Sequence, residues 1–308
     1  MAIIKKCKKI LLDSTILNAI TVITSMEERY LSPKDLALAI GVSESSLKRW
    51  IDLGHLHVQR TSGGHRRIPL SEAIRFIREQ RHPVQRPELL GLSGTADHSA
   101  ELTTAVRQCL ETADVIGLHS ALLRAYLGGT SLAGLCDGPL RLGMQAIGEL
   151  YKHGPHGIAV EHAATETAMI ALVRLHALLA PPPPGAPLAI GGATGRDPYL
   201  LASLVCSLAL AECGWRTINL GPMTPGEVLA DAVQRHRPRL VWRACNALDD
   251  PEALPSALSQ FAARIAPVPL VVGGRALTVN SLEVGYTLVG GVTELAAFAR
   301  GSLAVTKA

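Results

Sequence analysis

Aromatic residues are scarce: three Trp, five Tyr and three Phe make up 4% of the 308 residues. Cores with so few rings must be filled mainly by Ala, Leu and Val. No apolar run reaches the length of a bilayer-spanning helix, so no helical membrane segment is expected. The six cysteines are scattered without a CxxC pair, which argues against a disulfide framework and a structural zinc site. Also missing are a Ser-His-Asp spacing, an HExxH helix and a P-loop, and the expectation is a protein that is not an enzyme. The glycine-rich run Gly191-Gly192-Ala193-Thr194-Gly195 departs from GxGxxG and reads as loop geometry.

What is present is an uneven distribution of charge. Residues 1–86 hold 15 Lys/Arg against 8 Asp/Glu, and the remainder 15 against 18, so the net +4 conceals +7 followed by −3. A basic first third points to an anionic partner for that part alone. Lys5, Lys6, Lys8 and Lys9 ahead of Ile10–Leu12 imitate a signal peptide, but Asp13 interrupts the apolar stretch. The reading is a basic arm over 1–29 and a cytoplasmic protein.

Three folded parts follow. Residues 30–82 are compact, basic and helix-rich, and a proline-marked linker over 83–96 comes next. Residues 97–180 carry Ala/Leu-rich helical segments broken at Gly128-Gly129, Gly138-Pro139 and Gly154-Pro155, which predicts a bundle of about four helices. Pro181–Pro184 lie in a stiff connector over 181–187. From 188 to 304, apolar strands at Leu188–Gly192, Arg216–Leu220, Leu240–Ala244, Pro269–Val272 and Thr287–Val289 alternate with helices near 199–213, 225–236, 252–265 and 293–300. That alternation predicts a doubly wound, Rossmann-like α/β domain with a parallel sheet.

In the first folded part, Ser32-Pro33 starts a helix over Lys34–Ile40, Gly41 ends it, and Ser43 caps a second helix over Glu44–Asp52. Two short helices around a glycine turn describe a helix-turn-helix. Ser45, Ser46, Lys48 and Arg49 fall on the outer side of the second helix, while Leu47, Trp50 and Ile51 face inward. Short hydroxyls and long cations suit phosphates and base edges in a major groove. Gly54–Arg60 and Gly63-Gly64-His65-Arg66-Arg67 then make a basic hairpin, a wing. The ordered series from Leu31-Ser32-Pro33 through Leu47-Lys48-Arg49-Trp50 to Gly63–Arg67 resembles the MerR family of transcription regulators. That resemblance implies a dimer on a double-stranded operator of two-fold symmetry, and the chain is read as a homo-oligomer, dimer or tetramer. The resemblance puts Lys48 and Arg49 on the recognition helix, and Arg60, His65, Arg66 and Arg67 on the wing.

A helical bundle followed by a doubly wound domain resembles the cobalamin-binding module of methionine synthase. The same order behind a MerR head resembles the light-responsive repressors of the CarA/CarH and LitR group. Gly148–Tyr151, Glu161-His162, Gly214-Trp215-Arg216 and Gly273-Gly274 carry the match. The resemblance implies a cobalt-coordinating His after the first strand of the sheet, where this chain has Asp197-Pro198-Tyr199. It also implies a Ser where Ala244 stands and a Trp where Tyr151 stands, whereas Glu161 and His162 are kept. A phenol is a poor cobalt ligand.

At the carboxyl ends of the strands the chain offers Arg196, Tyr199, Arg243, Asn246, Arg275 and the pair Gly273-Gly274, which leaves backbone open to a flat ligand. Arginines at an apolar cleft suit carboxylates. The reading is a repressor sensing light or a tetrapyrrole, with a bilin favoured because it needs no axial ligand. Cobalamin is an alternative, and so is haem with Tyr199, His153, His156 or His162 as ligand. Cys206 and Cys245 are candidate bilin attachments. A corrinoid-dependent enzyme or carrier, and a ligand-free regulator controlled by an antagonist protein, are the competing classes.

Overall fold

The computed structural model describes residues 29–92, 99–151, 154–247, 253–277 and 285–304. The basic arm, apart from Arg29, lies outside the described residues. The chain divides into two compact units, Met1–Ser131 with Gly138–Ala180, and Leu132–Asp137 with Pro181–Ala308.

The first unit begins with the head. Strand β1 (Tyr30–Leu31) leads into α1 (Pro33–Ile40), whose first turn is closed by a capping box. Ser32 Oγ accepts the Asp35 N–H at 3.1 Å, and Asp35 Oδ2 accepts the Ser32 N–H at 3.3 Å. Gly41, at φ 71°, ends the helix in the left-handed region. Ser43 then caps α2 (Glu44–Asp52) by accepting the Ser46 N–H. The antiparallel ribbon β2 (Gln59–Arg60) and β3 (Arg66–Pro69) makes the wing, and β3 also pairs with β1. Helix α3 (Leu70–Gln80) follows β3 directly and closes a core of Leu36, Ile40, Leu47, Leu56, Ile68, Ile74, Phe76 and Ile77.

The expected linker over 83–96 is not free along its whole length. Gln85 and Arg86 both donate their backbone N–H to Ala39 O, and a 3-10 turn at Pro87–Leu90 leaves Leu90 and Leu92 buried. Those apolar residues, spaced too closely for a helical stripe, dock the segment on the head.

The bundle consists of α4 (Ser99–Glu111), α5 (Val115–Leu127), α7 (Arg141–Tyr151) and α8 (Pro155–Ala177), with the short α6 (Leu132–Leu135) between α5 and α7. The breaks at Gly128-Gly129, Gly138-Pro139 and Gly154-Pro155 separate α5, α6, α7 and α8, whereas α4 and α5 part at residues 112–114, where Asp114 caps α5. Residues 132–137, however, count with the second unit. Leu132 N–H is accepted by Glu212, and the Asp137 carboxylate accepts Val292 and Thr293 N–H at 3.0 and 2.7 Å.

The second unit is a five-stranded parallel sheet of order β5-β4-β6-β7-β8. Its strands are β4 (Leu188–Ala193), β5 (Arg216–Asn219), β6 (Leu240–Ala244), β7 (Leu270–Gly273) and β8 (Thr287–Val289), and the order reverses between β4 and β6. Four helices complete it: α9 (Leu200–Glu212), α10 (Gly226–His236), α11 (Leu254–Ile265) and α12 (Val292–Ala304). Val241 and Val272 pack with α10 and α11 on one face; Trp242 and Val271 pack with α9 and α12 on the other. Trp215 and Trp242 are the largest fully buried side chains. The Trp242 indole lies over Gly191, where a Cβ would come within 2.2 Å of the ring. No helix among the described residues is long and apolar enough to cross a membrane.

Candidate nucleic-acid interface and sensor site

On α2 the apolar side is fixed by Leu47, which is fully buried, and by Trp50, whose ring sits 5.4 Å from Phe76 and 5.2 Å from His82. That anchoring turns Ser45, Lys48 and Arg49 to solvent. Ser46 is half-buried, with its Oγ 2.9 Å from Ser43 Oγ. Lys48 pairs with Glu44 at 2.8 Å, a solvent-exposed contact worth less than about 1 kcal/mol and readily exchanged for a phosphate.

The wing tip is a turn in which Thr61 and His65 bond to each other and Gly64 takes φ 77°. Arg60, His65 and Arg67 are exposed. Arg66 is not: it is half-buried and donates to Asp52 Oδ1 at 2.7 Å, bracing β3 against the end of α2. Arg66 therefore serves the shape of the wing, while the other cations present charge.

In the second unit the strand-end loops converge on Asp197, which is wholly buried. Its Oδ1 accepts the Tyr199 N–H at 3.0 Å, and its Oδ2 accepts both the backbone N–H and Nδ2 of Asn246 at 2.7 and 3.1 Å. The Asp197 carbonyl accepts Met223 N–H at 2.9 Å. One carboxylate residue thus ties together the loops after β4, β5 and β6. Arg275 adds the loop after β7. Its Nε donates to Asn246 O at 3.0 Å and its Nη2 to the Tyr199 hydroxyl at 2.7 Å, with the guanidinium 4.9 Å from the Tyr199 ring centre.

The candidate cofactor residues distribute unevenly across this framework. Tyr199 and Asn246 join Arg275 as described, and Arg196 is exposed beside them in sequence. Arg243 is buried on the face covered by α10 and α11, its Nη2 bonded to Thr224 O at 2.5 Å and Ala193 O at 3.4 Å. A guanidinium spent on backbone carbonyls beneath the loops is not offered to a carboxylate above them, and burial lowers its pKa.

The glycine pair has an internal reason too. At Gly274, φ 135°, a Cβ would meet Cys245 O at 2.2 Å, and at Gly273 it would meet Val289 O at 3.0 Å. The flat partner that approaches Gly274 is the chain's own backbone. Burial pushes the Cys206 and Cys245 thiols up to about 12, which leaves almost no thiolate at neutral pH to attach a bilin.

In the bundle, Glu161 is half-buried and accepts the Thr165 hydroxyl at 3.2 Å, and His162 is exposed. His156 is exposed as well, the Tyr151 side chain is not described, and His153 lies outside the described residues. Among the described residues no cluster of His, Cys, Asp and Glu could hold a metal ion.

A protein ligand to cobalt does not fit at Tyr199. Its hydroxyl already accepts from the Arg275 guanidinium and its ring lies under the same group, so a metal ion on that oxygen would face a fixed positive charge. Arg275, a strand-end candidate from sequence, finds its partners in the fold, whereas the Glu72–Arg75 pair of the head is a contact the sequence did not single out. The i,i+3 spacing of the latter pair was its only visible signal.

Residues 30–81 match the helix-turn-helix domain family. The chain is 32% identical over 117 residues to the HTH-type transcriptional repressor CarA of Myxococcus xanthus. That match covers 38% of this chain and 40% of the relative, so the chain spans less than half the length of the curated protein it resembles. Among solved structures, the monomethylamine corrinoid protein of Methanosarcina barkeri superposes with a TM-score of 0.51 and 16% identity, covering 67% of this chain and 100% of that one. The MtaBC methanol:cobalamin methyltransferase complex of the same organism follows at 0.37 and 15%, over 85% of this chain and 93% of that one. The chain therefore has a helix-turn-helix head and a corrinoid-protein fold.

Proposed function

We propose that this chain is a transcription repressor, not an enzyme, that binds double-stranded DNA as a symmetric oligomer and is controlled through its doubly wound unit without a protein–cobalt bond. The observation that carries the reading is the joint exposure of Lys48 and Arg49 on α2 with Arg60 and Arg67 on the wing. A helix and a ribbon of one small core, both presenting unburied cations, suit a major groove and its flanking phosphates. The repressor reading follows the resemblance to CarA, and the control reading follows the fold of the second unit.

The preference for a bilin loses most of its support. Arg243 is bonded to the chain's own carbonyls and burial holds the two thiols protonated, which leaves the exposed Arg196 and the lack of a metal ligand at Tyr199 as its remaining arguments. A corrinoid held by its own base meets the same condition.

The test has two parts. Selection from a pool of duplexes should enrich a sequence with two-fold symmetry, bound with an affinity that falls steeply with salt. Enrichment of no duplex would end the DNA-binding reading. Protein purified from cells supplied with cobalamin, haem and biliverdin is then examined by absorption, in the dark and lit. Any corrinoid spectrum should be unchanged by Tyr199→Phe, whereas its loss in that variant would restore a protein–cobalt bond and overturn the second half. A long-wavelength band that shifts on illumination would return the bilin to first place.

A further inference from the structure

The wing cannot orient itself. Strand β2 has two residues and pairs only as Gln59↔Arg67 and Arg60↔Arg66, a ladder too short to be stable alone. Its direction must come from what holds its base, and the base is gripped by a pair of charges on α3. The side chains of Glu72 and Arg75 are 13% and 22% exposed. Glu72 Oε1 accepts the His57 N–H at 2.7 Å and Arg75 Nη2 at 2.5 Å; Oε2 accepts Arg75 Nε at 2.8 Å. Arg75 Nη2 also donates to His55 O at 3.1 Å, and Nη1 bonds Glu79. Leu56, between the two gripped residues, is buried. A carboxylate thus takes the amide and a guanidinium takes the carbonyl of one three-residue segment, and β2 starts two residues further on.

A half-buried carboxylate beside a surface read as binding a polyanion needs a reason, because it repels the partner unless neutralised. Here Arg75 neutralises it, and both groups turn their bonds toward the backbone at 55–57 rather than outward. Removing Arg75 would leave the Glu72 carboxylate half-buried without its cation, and removing Glu72 would free Arg75 to turn wholly to Glu79. Two outer contacts complete the brace: Arg66 with Asp52, and the Tyr30 hydroxyl with Gln59 Oε1 at 3.0 Å.

We propose that Glu72 and Arg75 are positioning residues for DNA binding. They hold the wing at the height and direction that let Arg60, His65 and Arg67 reach the backbone of the duplex whose groove α2 enters. This rests on the DNA-binding reading given above.

The experiment uses the full chain and a mixed-sequence duplex of about 30 base pairs at low salt, where binding is set by phosphate contacts. Arg75→Met and Glu72→Gln are each made with the wing intact and with Arg60→Ala and Arg67→Ala. With the wing intact, Arg75→Met should weaken binding about tenfold and reduce the salt slope by roughly two, the number of wing arginines misplaced. In the wing-deficient chain the same substitution should cost less than about twofold, since the two sets of changes are then not independent. Glu72→Gln should follow the same pattern more mildly, and in both variants exchange of the His57 amide should accelerate. Equal losses in both backgrounds would mark general destabilisation and overturn the proposal. So would unchanged binding with a freely exchanging His57 amide. If the unaltered chain fails to bind any duplex, the DNA-binding reading falls first and the positioning role with it.

Discussion

At Gly274 the space a side chain would need is taken by the Cys245 carbonyl, and the backbone is at φ 135°. Gly274→Ala should therefore destabilise the doubly wound unit by about 3 kcal/mol, from strain and a collision with backbone that cannot yield. Urea titration of the variant measures this, and a change below about 1 kcal/mol would show that the strand-end loops can separate. Read from sequence alone, two glycines at a strand end look like an opening for a ligand, because the residue that fills it lies 29 positions away. Tyr199 was legible as a departure from the cobalt-ligating pattern. Its partner Arg275 was visible only as a cation after the fourth strand, since nothing local reports which way a guanidinium turns. Arg243 stood at the right strand end but beneath α10 and α11, and a strand buried on both faces does not show by its pattern which face a given residue takes.

Elements were the most legible scale, because capping residues and glycine breaks act locally. Ser32, Gly41 and Ser43 mark helix ends that the structure keeps, and the five strands shift by no more than a residue at either end. Ser43→Ala removes the acceptor for the Ser46 N–H and should cost about 1 kcal/mol of head stability, read as a lower thermal midpoint.

The bundle has its own sensitivity to acid. Burial holds His119 below its ordinary value of 6.5, with a backbone bond to Ala171 opposing and the Arg174 charge adding to the depression; burial alone lowers His176. A depressed folded value means the unfolded chain takes up the proton first. The contribution is complete above about 6.5 and drains as pH falls from there through the folded values. Urea midpoints should accordingly decline as pH falls below about 6.5, less so in His119→Gln, and a flat profile would show that these imidazoles protonate freely in the fold.

Within the first unit, Arg78 of the head meets Tyr126 of the bundle. Arg78 Nη1 donates to the Tyr126 carbonyl at 2.5 Å, and the guanidinium lies 4.2 Å from the Tyr126 ring centre. A donor bond with a cation stacked on the same residue is worth about 1–3 kcal/mol. Arg78→Ala should free the head to tumble faster than the bundle, seen as shorter rotational correlation times for its amides; unchanged times would place the restraint in the docked segment over 85–92 instead. None of this was legible beforehand. A proline-marked stretch reads as a spacer, and the order of parts along the chain says nothing about which of them touch.

The chain also enters the doubly wound unit twice, once for the six residues Leu132–Asp137 and again from Pro181 onward. The prolines at 181–184 look like the natural place to divide the gene, yet a fragment beginning there lacks a piece of its own fold. Val292 and Thr293 would lose the carboxylate that receives their amides, and Glu212 would lose the amide it receives. Such a fragment should behave as one half of a complementation pair: poorly folded by itself, and rescued in trans by a peptide spanning roughly residues 129–140.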